Sequence, residues 1–87
     1  MFRILITPAI FDTRESANEA QALAMREARA LSLACGQMVE CRVYRMGNPQ
    51  RDDFGRDVTP AFLVGRAIGT AEGVEWRVPA PLVRRVA

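Results

Sequence analysis

Proton transfer and nucleophilic attack at neutral pH draw first on His, Lys and activated Cys. This chain of 87 residues holds no His and no Lys, and all twelve of its basic residues are Arg. Without His the commonest general base and metal ligand is missing. Without Lys there is no amine for a Schiff base. The chemistry left is recognition, because a guanidinium makes bidentate contacts to carboxylate or phosphate. The Arg excess has a second explanation: the chain is also rich in Ala, and a GC-rich genome favours both residues.

The remaining reactive types form no site by spacing. Asp52, Asp53 and Asp57 cluster in one segment, but a hard cation needs six or more oxygens in a defined loop, and that pattern is absent. Arg51 and Arg56 beside them suggest a solvated loop instead. Cys35 and Cys41 are not a CxxC pair, and no other Cys or His completes a zinc site. Both are expected as buried structural thiols. Glu27 falls on an otherwise apolar helix arc, where burial would raise its pKa, yet no partner for catalysis is evident. It is expected to pair with an Arg from the sheet or to reach solvent. The six glycines match no phosphate-loop spacing and suggest a cap, turns and a bulge. Neither a cofactor nor a metal is expected, and the chain is not expected to be an enzyme.

The elements that must position these residues are set by pattern. At 49% hydrophobic and 25% charged, the composition is that of an ordered globular chain, and its length suits one domain over residues 1–87. Residues 2–7 (FRILIT) alternate, with Phe2, Ile4 and Ile6 on one face, and Pro8 ends the strand. Two capping boxes follow, Asp12 with Glu15 and Ser16 with Glu19. Residues 13–35 are dense in strong helix formers, and Gly36 stands where a terminating glycine belongs. The apolar arc of this helix comprises Ala17, Ala20, Leu23, Ala24, Ala28, Leu31, Ala34 and Cys35, with Met25 and Leu33 outside it. Residues 38–46 alternate again. A strand, a helix and a strand in succession suggest a crossover with the two strands parallel.

Residues 47–60 carry Gly, Pro, Asn and charges and predict a long loop. Residues 61–68 and 74–78 predict two further strands joined by a five-residue hairpin connection at 69–73. Residues 79–87 (PAPLVRRVA), with two prolines, suggest an edge segment or final turn. The fold class is therefore α+β, one long helix on a roughly four-stranded sheet in the order β-α-β-β-β. Its open sheet face carries Arg3, Leu5, Glu40, Arg42, Tyr44, Glu75 and Arg77, and Trp76 points into the core. Neither a signal-peptide core nor a transmembrane stretch is visible, which predicts a cytoplasmic protein.

Partner contacts are expected at Arg42, Tyr44 and Arg77 on the open face, at Met25 and Leu33 on the polar side of the helix, and at Phe54 in the loop. A nucleic-acid surface built on Arg42, Arg77, Arg84 and Arg85 is the alternative, although a net charge of +2 gives little general attraction to DNA. An exposed strand edge or open face also invites homodimerisation.

The run Thr13-Arg14-Glu15-Ser16-Ala17, then Glu19-Ala20, Ala28-Arg29-Ala30-Leu31 and Gly36, then Val39-Glu40-Cys41-Arg42-Val43-Tyr44-Arg45, resembles small phage-encoded accessory proteins. An early strand leads there to an Ala-rich helix and then to a strand of alternating charge. Some anti-CRISPR proteins have a similar arrangement of one helix on an antiparallel sheet. The resemblance is architectural, covers about half the chain and carries over no functional residue. It implies a non-enzymatic inhibitor that binds a bacterial complex and blocks its nucleic-acid groove or a subunit surface.

Overall fold

A computed structural model describes residues 1–79. The alternation at the start forms strand β1 (Phe2–Thr7). Pro8 stops it, and the Thr7 hydroxyl holds the reversal by accepting from Ala9 N at 3.3 Å and Ile10 N at 3.1 Å. The chain returns as β2 (Ile10–Arg14), antiparallel to β1. The sequence pattern assigns 13–14 to the helix and no strand to 10–12. The two overlapping capping boxes account for the difference, because only the second one is used. Ser16 is the N-cap, its backbone extended at φ −108° and ψ 148°, and its Oγ accepts from Glu19 N at 3.1 Å. Helix α1 (Ala17–Cys35) therefore starts four residues later than predicted. It ends where expected, at Gly36 in the left-handed region (φ 71°), whose N–H donates to the Ser32 carbonyl at 2.8 Å.

Strand β3 (Val39–Met46) pairs antiparallel with β1, which corrects the expected parallel crossover. The cause is β2. It reverses the chain before the helix, so the strands that α1 connects are β2 and β3. Each is antiparallel to β1 and they are therefore parallel to each other, with β1 between them. The predicted loop at 47–60 contains a small ladder of β4 (Gln50–Arg51) with β5 (Asp57–Val58). Strands β6 (Ala61–Thr70) and β7 (Gly73–Arg77) follow, and only Ala71 and Glu72 turn between them. The main sheet has the order β2-β1-β3-β6-β7 and is antiparallel throughout. The α+β class holds, with one more strand in the sheet than expected.

One face of this sheet is covered by α1. The core joins Ile4, Cys41, Val43 and Ala67 from the strands to Ala20, Leu23, Ala24 and Ala28 from the helix. Small helix residues allow a close approach, and Gly69 completes it: a Cβ there would collide with the Ala28 carbonyl. The Trp76 ring lies against Gly65, so Trp76 faces the helix side as predicted. Ser32 is buried within the helix face because its hydroxyl donates to the Gln37 carbonyl at 2.7 Å.

The buried arc differs from the predicted one at its ends and on one flank. Ala17, Ala34 and Cys35 are exposed, because they belong to the terminal turns of a helix of roughly 28 Å. Cys35 is thus not a core thiol. Met25 turns toward the core and packs against it instead of standing free on the polar side.

Candidate functional site

The register brings the second face of the sheet together. Leu5 stands opposite Phe11 on one side and Arg42 on the other; Arg42 stands opposite Arg66, and Arg66 opposite Arg77. Three guanidinium-bearing positions thus lie side by side on β3, β6 and β7. A parallel row joins Thr13, Arg3, Tyr44 and Leu63. No described element covers this face, since the only helix among the described residues packs on the other one.

Like charges directly opposite in a sheet repel, and two glutamates from the neighbouring row offset them. Glu40 accepts from Arg42 Nε at 2.6 Å and from Arg66 Nη1 at 3.4 Å. Glu75 accepts from Arg77 Nη2 at 3.1 Å. The Glu40 hydrogen bond, with a further contribution from Tyr44, raises the Arg42 pKa above its ordinary value. The row therefore offers cations whose charge is partly answered from within.

Arg3 is different. Its Cζ lies 4.7 Å from the centre of the Phe11 ring, and its Nε is buried with no acceptor. Two shallow hollows open along the strands of this face, and Arg3 lines the second. One of about 420 Å³ is lined by Leu5, Ile6, Thr7, Pro8, Glu40 and Arg42. The other, about 220 Å³, is lined by Arg3, Leu5, Tyr44, Met46 and Ala61.

Arg42, Tyr44 and Arg77 are thus brought onto one face. Leu33 is 60% exposed on α1, and α1 lies on the opposite side of the sheet. Phe54 is 83% exposed at the turn between β4 and β5, with the Arg56 guanidinium 5.4 Å from its ring centre. Neither joins the face, and Met25 is half-buried against the core on the helix side. The pattern alone did not single out Arg66, Phe11 or Leu63. Leu63 and Arg66 are three apart, yet both oppose residues of one face, because a bulge at Val64 interrupts the β3–β6 register. Arg84 and Arg85 lie outside the described residues.

The reactive side chains have local occupations. Asp52 Oδ1 accepts from the backbone N–H of Phe54 and of Arg56, both at 2.9 Å, and its carboxylate pairs with Arg56 at 3.4 Å. Asp57 pairs with Arg51 at 3.7 Å. Among the described residues no group of three or more His, Cys, Asp or Glu is arranged to hold a metal ion. Burial pushes the Cys41 thiol up to about 11, with the charges of Glu27 and Glu40 adding to it. Cys41 is therefore a poor nucleophile. Glu27 is half-buried and pairs with Arg26 at 3.9 Å, an Arg of its own helix. No helix among the described residues is long and apolar enough to cross a membrane.

No protein-family model, curated protein or solved structure matches the chain.

Proposed function

We propose that this is a non-enzymatic binding domain whose open sheet face docks onto a protein partner. The observation that carries the reading is the uncovered face itself, where Arg42, Arg66 and Arg77 stand in one row beside Tyr44, Leu63 and Phe11. Arg and aromatic residues are enriched at the centres of protein interfaces. Phe11 is 56% and Leu63 39% exposed, so the face offers apolar area as well as charge. Glu40 and Glu75 favour a protein over a nucleic acid, because they place two carboxylates where a polyanion would have to lie. The finer proposal is inhibition by occlusion: the domain covers a surface of a bacterial nucleoprotein complex, in the manner of the phage proteins it resembles.

The test is a pull-down with the tagged chain from a GC-rich bacterial lysate, with and without nuclease. A stoichiometric protein that survives nuclease and is lost with Arg66→Glu supports the reading. Capture that vanishes on nuclease treatment moves the assignment to nucleic acid. Protein capture indifferent to Arg66→Glu and Arg77→Glu removes the open face as the docking surface.

A further inference from the structure

Of the four described arginines on the open face, Arg42, Arg66 and Arg77 each have a carboxylate within 3.4 Å, and Arg3 has none. Arg3 is half-buried, as Arg66 is, but its Nε is also sealed from solvent without an acceptor. The Phe11 ring of β2 lies 4.7 Å from its Cζ, and Tyr44 stands directly opposite on β3. A partly desolvated cation with an unanswered N–H is an unfavourable state unless something completes it. The adjoining hollow of about 220 Å³ has Arg3 as its one charged wall; Leu5, Tyr44, Met46 and Ala61 make the rest.

We propose that this hollow receives an acidic side chain of the protein partner, its carboxylate on the Arg3 guanidinium and its methylenes on Leu5 and Met46. The inference rests on the open face being the docking surface. A carboxylate on a short apolar stem matches both halves of the site, one cation and otherwise largely apolar walls. A phosphate monoester would bring a charge of about −1.5 to −2 against the single cation of this hollow. The neighbouring Arg42 and Arg66 do not help it, since Glu40 already holds both.

The experiment follows the Arg Nε–Hε and methyl resonances of the full chain by NMR during titration with butyrate, with inorganic phosphate and thymidine monophosphate in parallel. The expected result is a saturable shift of the Arg3 Hε and Met46 methyl signals with butyrate, lost in Arg3→Gln and retained in Arg77→Gln. No saturable shift, an equal shift in Arg3→Gln, or tighter binding of either phosphate at this hollow overturns the proposal. If Arg3→Gln does not fold, Met46→Glu takes its place: a built-in carboxylate abolishes the butyrate response, and Met46→Gln preserves it. Partner capture that depends on Arg66 without any butyrate response sinks the Arg3 site alone. A butyrate response beside capture that ignores Arg66→Glu removes the docking face, and with it the protein source of the carboxylate.

Discussion

Arg42 and Arg66 face each other directly across β3 and β6, and a single carboxylate, Glu40, accepts from both. Two like charges at this separation would repel, so the pairing depends on a residue two positions along β3. The same arrangement sets what the face presents. Glu40 leaves a row that is cationic in character and only partly neutralised.

Glu40→Gln should therefore destabilise the domain by about 0.5–1 kcal/mol, the range for partly exposed charge pairs and cross-strand contacts. The loss should shrink in high salt, because the unmasked repulsion between Arg42 and Arg66 is screened. Urea unfolding of both proteins at low and high ionic strength checks it. An equal loss at both salt levels would mean that Glu40 contributes through packing.

The contact between α1 and β6 is fixed by the absence of a side chain. A Cβ on Gly69 would meet the Ala28 carbonyl, whereas a Cβ on Gly73 would meet nothing. Gly69→Ala should cost about 2–3 kcal/mol, because helix and strand must separate or shift. Gly73→Ala should stay within about 0.5 kcal/mol of the parent. Thermal or denaturant melts of the pair decide, and similar values for both would show that the helix yields easily.

How far the sequence anticipates this architecture varies with the kind of signal. Period-two alternation within one strand is local, so β1, β3 and β7 and their face assignments were legible, with Arg3, Arg42, Tyr44 and Arg77 together and Trp76 inward. Gly36 was legible as a cap because few residues adopt its backbone angles. Strand β2 was not. Its five residues, IFDTR, follow a proline and overlap the first of two competing capping boxes, and its presence alone reverses β1 relative to β3. Arg66 was hidden by the Val64 bulge, which breaks the alternation that would have placed it. The Arg42–Arg66–Arg77 row depends on register between strands, which no single strand encodes.

The two cysteines should differ sharply in reactivity. Cys35 is exposed at the end of α1, while Cys41 is buried with its pKa raised to about 11. A thiol reagent at neutral pH should modify one thiol quickly in the native protein, and the second only on unfolding. Cys35→Ser should abolish the fast phase. The raised Cys41 value also carries a sign for stability. Its neutral form is favoured in the folded chain, so the unfolded state loses this proton first as pH rises. Stability from this group is constant below an ordinary thiol pKa of about 8.5 and falls from there toward pH 11. Cys41→Ser or Cys41→Ala should remove that alkaline component; a native Cys41 modified as fast as Cys35 would contradict the burial.

Strand β2 forms one edge of the sheet, and its backbone is protected by its own side chains. Asp12 Oδ1 accepts from Thr13 N at 2.7 Å, Arg14 Nη1 donates to the Thr13 carbonyl at 2.7 Å, and the two side chains pair at 3.0 Å. The peptide groups that another strand would seek at Thr13 are thus already engaged. This is a local guard against edge-to-edge pairing, placed beside the exposed Ile10 and Phe11. The Thr13 hydrogen bond is the main cause that lowers the Asp12 pKa; desolvation opposes it, and Arg14 adds to the lowering. A carboxylate with a lowered folded pKa contributes stability above its ordinary value of about 3.9 and loses it as pH falls through the lowered one. The guard should accordingly hold at neutral pH and open only in strong acid. Asp12→Ala should release Thr13 N–H at neutral pH and raise self-association, read as a concentration-dependent increase in sedimentation coefficient. Asp12→Asn, which keeps an acceptor oxygen, should associate less than Asp12→Ala. If Asp12→Ala self-associates no more than the parent at every concentration, the clamp is not a guard of this edge.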